Sequence, residues 1–270
     1  MGSSIKLGRI LGIPFGINYS WFLIPSLVAY SQEVSLGELY PGWSSPERWA
    51  TSLASSALLF ASVVAHELSH SMVAIRKGIP VRGITLFIFG GVAQISREAT
   101  RPSTELLMAV VGPVSSILLG LLFLGLNLAV EPFSVHLAAM TEWLFLVNVA
   151  LGLFNMIPGF PLDGGRVFRA VVWAISGNYS IATRLATICG QVVAVAFVAI
   201  GAFIFMGEEY LQGIWLAFIG WFLWQAASAS FRHFRQRQRL EGHVSRDLMS
   251  TDCPEVSPDV LLREVVQAGL

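Results

Sequence analysis

The sequence His-Glu-Leu-Ser-His at residues 66–70 ends an apolar run long enough to cross a membrane, and the preceding residues, Ala50–Ala65, contain no charged side chain. Two histidines at i and i+4 lie on one face of a helix, so both imidazoles can bind one zinc ion. The glutamate beside the first histidine can act as general base towards a zinc-bound water. Ionisable groups in an apolar span cost about 2.5–3.5 kcal/mol each on insertion scales, so their presence indicates a functional site.

The composition is that of a polytopic membrane protein. Of the 270 residues, 54% are hydrophobic and only 13% are charged, whereas soluble proteins carry about 25% charged residues. A helix needs about 20 apolar residues to cross the hydrocarbon core. We therefore expect an all-α fold with about six transmembrane helices, near Ile13–Tyr30, Ala50–Ile75, Glu105–Leu128, Val135–Met156, Ala182–Met206 and Tyr210–Phe231, and a polar, turn-rich connection at Ser31–Glu47.

Residues 80–96, between the second and third predicted spans, are rich in β-branched and aromatic side chains, with Gly90 and Gly91 in the middle. This pattern indicates a short β-hairpin or sheet. Such backbone is tolerated at membrane depth only where protein covers it or where it faces a water-filled cavity. Its edge could pair with an extended peptide by strand addition.

The basic residues indicate the orientation, because they concentrate in cytoplasmic loops. With the N-terminus placed in the cytoplasm, Arg48 is the only one of the 17 Lys and Arg residues that falls outside. We therefore expect a multi-pass protein of the inner or plasma membrane with both termini in the cytoplasm. The HELSH motif then lies near the cytoplasmic end of the second span.

A catalytic zinc usually has three protein ligands and an open fourth position, so a third ligand is needed. His136 is expected at the outer end of the fourth span, on the wrong side of the membrane. His233 and His243 fall in the basic cytoplasmic tail. Asp163 is the better candidate.

Asp163 lies in the segment NMIPGFPLDGGR, residues 155–166. Pro158 and Pro161 are expected to end the fourth helix, and Gly164 and Gly165 to allow a tight turn. The fourth helix descends to the cytoplasmic side, where HELSH ends. The topology therefore predicts that the aspartate reaches the depth of the two histidines.

These motifs resemble those of the site-2 protease family of intramembrane zinc metalloproteases. HELSH is similar to the HExxH motif of that family, and residues 155–166 are similar to its second motif. The segments Phe89–Ala93 and Val111–Ser115 resemble a Gly-rich segment near the active site and a Gly-Pro element on the following helix. The resemblance extends from about Lys6 to Phe231.

The resemblance implies that His66, His70 and Asp163 bind one Zn²⁺ ion and that Glu67 activates the water. The activity it implies is that of a zinc metalloendopeptidase, which cleaves a transmembrane segment of a membrane-anchored regulatory protein. In bacteria such substrates include anti-sigma factors. A substrate helix must unwind locally to present a peptide bond, because its amides are hydrogen-bonded within the helix.

Two further elements have expected roles by the same resemblance. Asn155 would position the scissile peptide or stabilise the oxyanion, or else be a helix-packing amide, which is the role expected of Asn148. Gly90, Gly91 and Val92 would hold the substrate in extended form, or else belong to a purely structural hairpin. Membrane lipid is a further expected partner, and nucleic acid is not.

The chain changes character after the protease domain, which we assign to residues 1–231. Residues 232–243 form a basic juxtamembrane linker that is expected to touch anionic lipid. Residues 244–270 resemble the opening of a cystathionine-β-synthase-type (CBS) domain, which can sense adenine nucleotides when complete. Because the sequence stops within the first helix of that domain, we expect a longer protein or, alternatively, an unstructured tail.

Other functions are compatible with parts of this pattern. Helix breaks and intramembrane acids also suit a transporter or channel, but the chain shows no internal repeat. A non-catalytic zinc-binding scaffold would usually have four protein ligands. A CAAX-type zinc protease shares HExxH but lacks the NxxPxxPLDGG pattern.

Overall fold

The computed structural model describes residues 4–87, 90–95, 99–240 and 263. The chain divides into two compact units, Met1–Phe231 and Arg232–Leu270. The predicted CBS-type opening, residues 244–270, lies outside the described residues apart from Arg263, as does Phe89 of the Gly-rich segment. The nucleotide-sensing domain therefore stays a prediction.

The described chain is mainly helical, as predicted. Its elements are β1 (Ser4–Ile10), β2 (Ile13–Asn18), a 3₁₀ turn (Tyr19–Phe22), α1 (Leu23–Leu39), α2 (Ser45–Arg76), β3 (Val81–Phe87), β4 (Gly90–Ile95), α3 (Pro102–Val130), α4 (Val135–Asn155), α5 (Asp163–Ser176), α6 (Tyr179–Met206) and α7 (Tyr210–Leu240). Among the described residues, five helices are long and apolar enough to cross a membrane, namely α2, α3, α4, α6 and α7. The prediction of an all-α polytopic membrane fold is confirmed.

The first predicted span, Ile13–Tyr30, does not form one helix. Its first six residues form β2, in which Ile13, Phe15 and Ile17 are buried in alternation. This period of two is that of a strand with one covered face. The helix α1 begins only at Leu23 and continues through residues predicted as a polar connection.

The predicted hairpin is present and belongs to a larger sheet. β3 and β4 pair antiparallel, with Leu86 opposite Gly91 and Thr85 opposite Val92. The strand order is β1-β2-β3-β4, and β2 joins β3 in parallel. The N-terminal strands therefore extend the hairpin into a four-stranded sheet with β4 at one edge.

The sheet covers the part of α2 that carries the HELSH motif. Its buried side chains, which include Ile84 and Leu86, pack against Val64 and Leu68 of α2. These two positions lie on either side of His66 in the sequence. The apolar contact therefore holds the sheet against the same stretch of helix that presents the histidines, which brings β4 to the site.

Candidate metal centre

The helix α2 presents both histidines of HELSH to the protein interior. His66 is 5% exposed and His70 is 4% exposed. One helical turn separates them, and their Nε2 atoms lie 3.1 Å apart. The i, i+4 spacing thus directs two imidazole nitrogens to one point, as the sequence predicted.

Asp163 reaches the same point from α5, of which it is the first residue. Its Oδ2 atom lies 3.1 Å from His66 Nε2 and 3.1 Å from His70 Nε2. The carboxylate is therefore within contact distance of both imidazoles.

The predicted tight turn at Gly164 and Gly165 is instead the first turn of α5. A Cβ on Gly164 would lie 2.4 Å from the carbonyl carbon of Met156, and a Cβ on Gly165 would lie 2.4 Å from the carbonyl carbon of Gly159. Close backbone packing, not a turn, explains these glycines. They allow the segment after α4 to fold directly onto α5, which carries Asp163.

These three residues fit a zinc ion. Two imidazole nitrogens and one carboxylate oxygen are a common ligand set, and zinc binds such atoms at about 2.0–2.2 Å. Ligands at that distance in a tetrahedron are about 3.3 Å apart, close to the 3.1 Å separations of the three atoms here. Together, His66, His70 and Asp163 could hold a metal ion.

The other nitrogen of each imidazole has a partner on α3. His70 Nδ1 donates a hydrogen bond to the carbonyl oxygen of Met108 at 2.5 Å. His66 Nδ1 lies 2.9 Å from Ser116 Oγ. A proton on Nδ1 leaves the lone pair of Nε2 free, so these contacts prepare the nitrogens that face the site for metal binding.

A glycine of α3 makes room for the site. A Cβ on Gly112 would lie 2.2 Å from His70 Nε2 and 2.7 Å from His66 Nε2. Any side chain there would occupy the space between the two imidazoles. The sequence indicated this position only through the resemblance of the Val111–Ser115 segment to a Gly-Pro element, and it did not predict the contact of Gly112 with the histidines.

Glu67 lies beside β4. A Cβ on Gly91 would lie 2.4 Å from Glu67 Cγ, so the backbone of this strand touches the glutamate side chain. Gly90 and Val92 flank Gly91 and pair with Phe87 and Thr85 of β3. Within the described residues, no strand pairs with the other edge of β4.

Asn155 is the last residue of α4 and is partly buried. Its Nδ2 donates to the carbonyl oxygen of Leu151 at 2.9 Å, within the same helix. Asn148 is fully buried and makes the corresponding bond to Leu144. No hydrogen bond in the described chain joins Asn155 to the metal-site residues, so its expected catalytic role stays a prediction.

Known proteins resemble the chain along most of its length. Residues 54–138 and 132–201 match the family model described as "Peptidase family M50". Synechocystis sll0528, which is named as a zinc metalloprotease, is 39% identical over 98% of this chain and 69% of its own length. Rip3 of Mycobacterium tuberculosis, named in the same way, is 35% identical over 96% of this chain and 66% of its own length. The chain thus spans about two thirds of the length of these relatives.

A solved structure has the same fold. The site-2 protease from Methanocaldococcus jannaschii superposes with a TM-score of 0.56 and is 28% identical, covering 85% of this chain and 95% of its own. The family match, the relatives and the histidine–aspartate cluster agree with one another. The chain belongs to peptidase family M50, the site-2 protease family, and is a zinc metalloprotease.

Proposed function

We propose that the chain is an intramembrane endopeptidase that cleaves a transmembrane segment of a membrane-anchored regulatory protein, with Glu67 as general base. The observation that carries this proposal is that Asp163 of α5 meets His66 and His70 of α2. The helix α2, which also carries Glu67, is long and apolar enough to cross a membrane. A structural zinc usually has four protein ligands, whereas a catalytic zinc keeps one open position. Three ligands next to a carboxylate fit the catalytic arrangement.

The reaction needs an activated water and a proton donor for the leaving group. A zinc ion in this site would lower the pKa of a bound water towards about 7 and polarise the scissile carbonyl. Glu67 accepts a proton from the attacking water and delivers it to the leaving amine as the carbon–nitrogen bond breaks. Its carboxylate is close enough to His66 and Asp163 to interact with both electrostatically.

The edge of β4 supports binding of the substrate in extended form. Gly91 touches Glu67, so a peptide paired with the Gly90–Val92 backbone would pass beside the general base. Strand addition satisfies the backbone amides that a transmembrane helix exposes when it unwinds. Helix-weakening residues near the scissile bond are therefore expected to favour cleavage.

Asn155 is the proposed positioning group for the scissile peptide or for the oxyanion. It lies at the end of α4, eight residues before Asp163. In this role its Nδ2 would exchange the bond to the Leu151 carbonyl for one to the substrate. Such an exchange does not leave the Leu151 carbonyl unsatisfied, because it also accepts the i+4 backbone N–H within α4.

The wider setting is also proposed. Both termini lie in the cytoplasm, which requires α1 to cross the membrane in addition to the five long apolar helices. With 17 residues, α1 is at the lower end of the range of about 17–25 residues of a spanning helix. Membrane lipid contacts the apolar helices, and the cleaved regulators include anti-sigma factors where the source is bacterial. Adenine nucleotide is the proposed ligand of a complete CBS-type domain.

The test is cleavage of a panel of single-span substrates by purified protein in liposomes. The wild type, Glu67→Gln and a chelated sample are compared, with Glu131→Gln as a matched control at the end of α3. We expect cuts from the wild type and the control only, and retained zinc in Glu67→Gln. Cleavage that survives Glu67→Gln in a zinc-loaded sample would refute the assigned role.

A further inference from the structure

One face of α3 contacts the candidate metal centre along three turns. The Met108 carbonyl accepts from His70, Gly112 fits against both imidazoles, and Ser116 is bonded to His66. These positions are spaced at four residues, so they form one stripe. Glu105 lies three residues before Met108 on the same stripe.

Glu105 connects this stripe of α3 to α5, the helix that carries Asp163. Arg169 of α5 donates through Nε to Glu105 Oε1 at 2.7 Å, and its Nη2 contacts the same oxygen. Glu105 is 1% exposed. The guanidinium of Arg169 also lies over the rings of Phe160 and Tyr179, with its central carbon 5.0 Å and 4.8 Å from the ring centroids.

A buried ion pair is unusual in a protein of such apolar composition, so its presence indicates a functional role. Glu105 Oε2 is buried without a hydrogen-bond partner in the described structure. A buried carboxylate satisfied on one oxygen depends on its cation, and well-packed apolar side chains often replace such a pair with no loss of stability. Stability alone therefore does not explain why the pair is here.

The position of the pair suggests what it does. Asp163 and Arg169 belong to the same short helix, six residues apart. The contacts of Gly164 and Gly165 hold the first turn of α5 against residues 156–159. The Arg169–Glu105 pair ties α5 to α3, whose stripe orients the two histidines.

We propose that Glu105 and Arg169 are positioning residues, which hold α5 on α3 so that Asp163 meets the histidines at metal-binding distance. The helix α3 then sets the geometry of all three ligands, two through their Nδ1 atoms and one through this pair. The inference rests on the ligand set of the proposed function. It predicts that the pair contributes to metal affinity, not to folding.

The test compares zinc affinity and thermal stability in the double variant Glu105→Leu/Arg169→Met. This variant removes both charges and keeps apolar volume, so we expect an unchanged or higher melting temperature. We expect zinc affinity, measured by competition with a chromophoric chelator, to fall by about tenfold, at the lower end of the effect of residues that orient metal ligands. Asn127→Leu, which removes a polar contact between α3 and α4, is the control and should leave zinc affinity unchanged.

Combining the double variant with Asp163→Ala distinguishes an effect on zinc affinity that acts through Asp163 from a general effect on the protein. If the pair acts through Asp163, the combined variant binds zinc as Asp163→Ala does alone, because the effects are not independent. The inference would be overturned if the double variant lowered zinc affinity by the same factor in the Asp163→Ala background as in the wild type. It would also be overturned if the double variant did not lower zinc affinity in the wild-type background. If Asp163→Ala itself leaves zinc affinity unchanged, the proposed ligand set has failed instead.

Discussion

Gly112 shows how closely single residues enclose the metal site. Its Cα faces both Nε2 atoms, at a distance that leaves no space for a methyl group. Gly125 lies on the same helix, and a Cβ there would meet nothing within 4 Å. The two glycines therefore form a matched pair for mutation.

Gly112→Ala is expected to lower zinc affinity at least tenfold, because the new methyl group must displace the imidazoles. Overpacking of this kind also costs about 1–3 kcal/mol of stability. Gly125→Ala should bind zinc normally and gain up to about 1 kcal/mol from helix propensity. Chelator competition and thermal unfolding measure both effects, and equal zinc affinity in the two variants would contradict the packing argument.

Gly91→Ala should affect the role of Glu67 in catalysis without affecting metal binding. A methyl group on this strand would press on Glu67 Cγ, not on the ligand atoms. We expect cleavage to fall at least tenfold while bound zinc stays stoichiometric. Gly16→Ala in β2 is the control, since its Cβ would make an ordinary 3.4 Å contact with Ile5 O. Loss of zinc from Gly91→Ala would show that the strand supports the ligands instead.

At the scale of elements, α3 has two adjacent serines that differ in their partners. Ser116 Oγ is bonded to His66 Nδ1, whereas Ser115 Oγ donates to the Gly112 carbonyl within its own helix. Groups that orient a metal-bound histidine typically contribute 10–100-fold to metal affinity. The two hydroxyls are therefore expected to differ in their effect on zinc.

Ser116→Ala should weaken zinc binding by about 10–100-fold, and Ser115→Ala should leave it within about twofold. The reason is that only the first substitution frees the His66 ring to rotate or to change tautomer. Isothermal titration of the apo protein with zinc is the measurement. Equal affinities for the two variants would mean that the ring is held by packing alone.

The elements also show which parts of the structure the sequence can predict. Hydrophobic length predicted five of the spans, because the ability to cross a membrane is a local property of one segment. The segment Ile13–Tyr30 was misassigned because β2 is apolar on account of its sheet partners, and its neighbour β3 lies far away in the sequence. A short apolar run does not by itself distinguish a strand from a helix.

The site was predictable to the same extent. His66 and His70 share one helix, so their spacing alone brings them together, and the predicted topology correctly brought Asp163 close to them. Gly112 and the Glu105–Arg169 pair were not predicted, because their contacts depend on how α3 rotates against α2 and α5. For the ion pair, the available sequence signal was Glu105, an acidic residue in the first turn of the apolar helix α3.

For the whole molecule, the remaining prediction is its orientation in the membrane. The connection between α3 and α4 contains Phe133, which is 87% exposed, and the end of α5 contains Ser176, which is also exposed. One membrane crossing by α4 separates them. The distribution of basic residues predicts that Ser176 lies in the cytoplasm and Phe133 outside.

Single cysteines at these two positions should report this orientation, in a chain whose Cys189 and Cys253 are replaced by alanine. We expect a membrane-impermeant maleimide to label Phe133→Cys in intact cells and Ser176→Cys only after permeabilisation. The physical reason is that 16 of the 17 Lys and Arg residues are then cytoplasmic, where they avoid translocation. The reverse labelling would put the metal centre near the outer surface, and a cut there would release the outer part of the substrate instead of its cytoplasmic part.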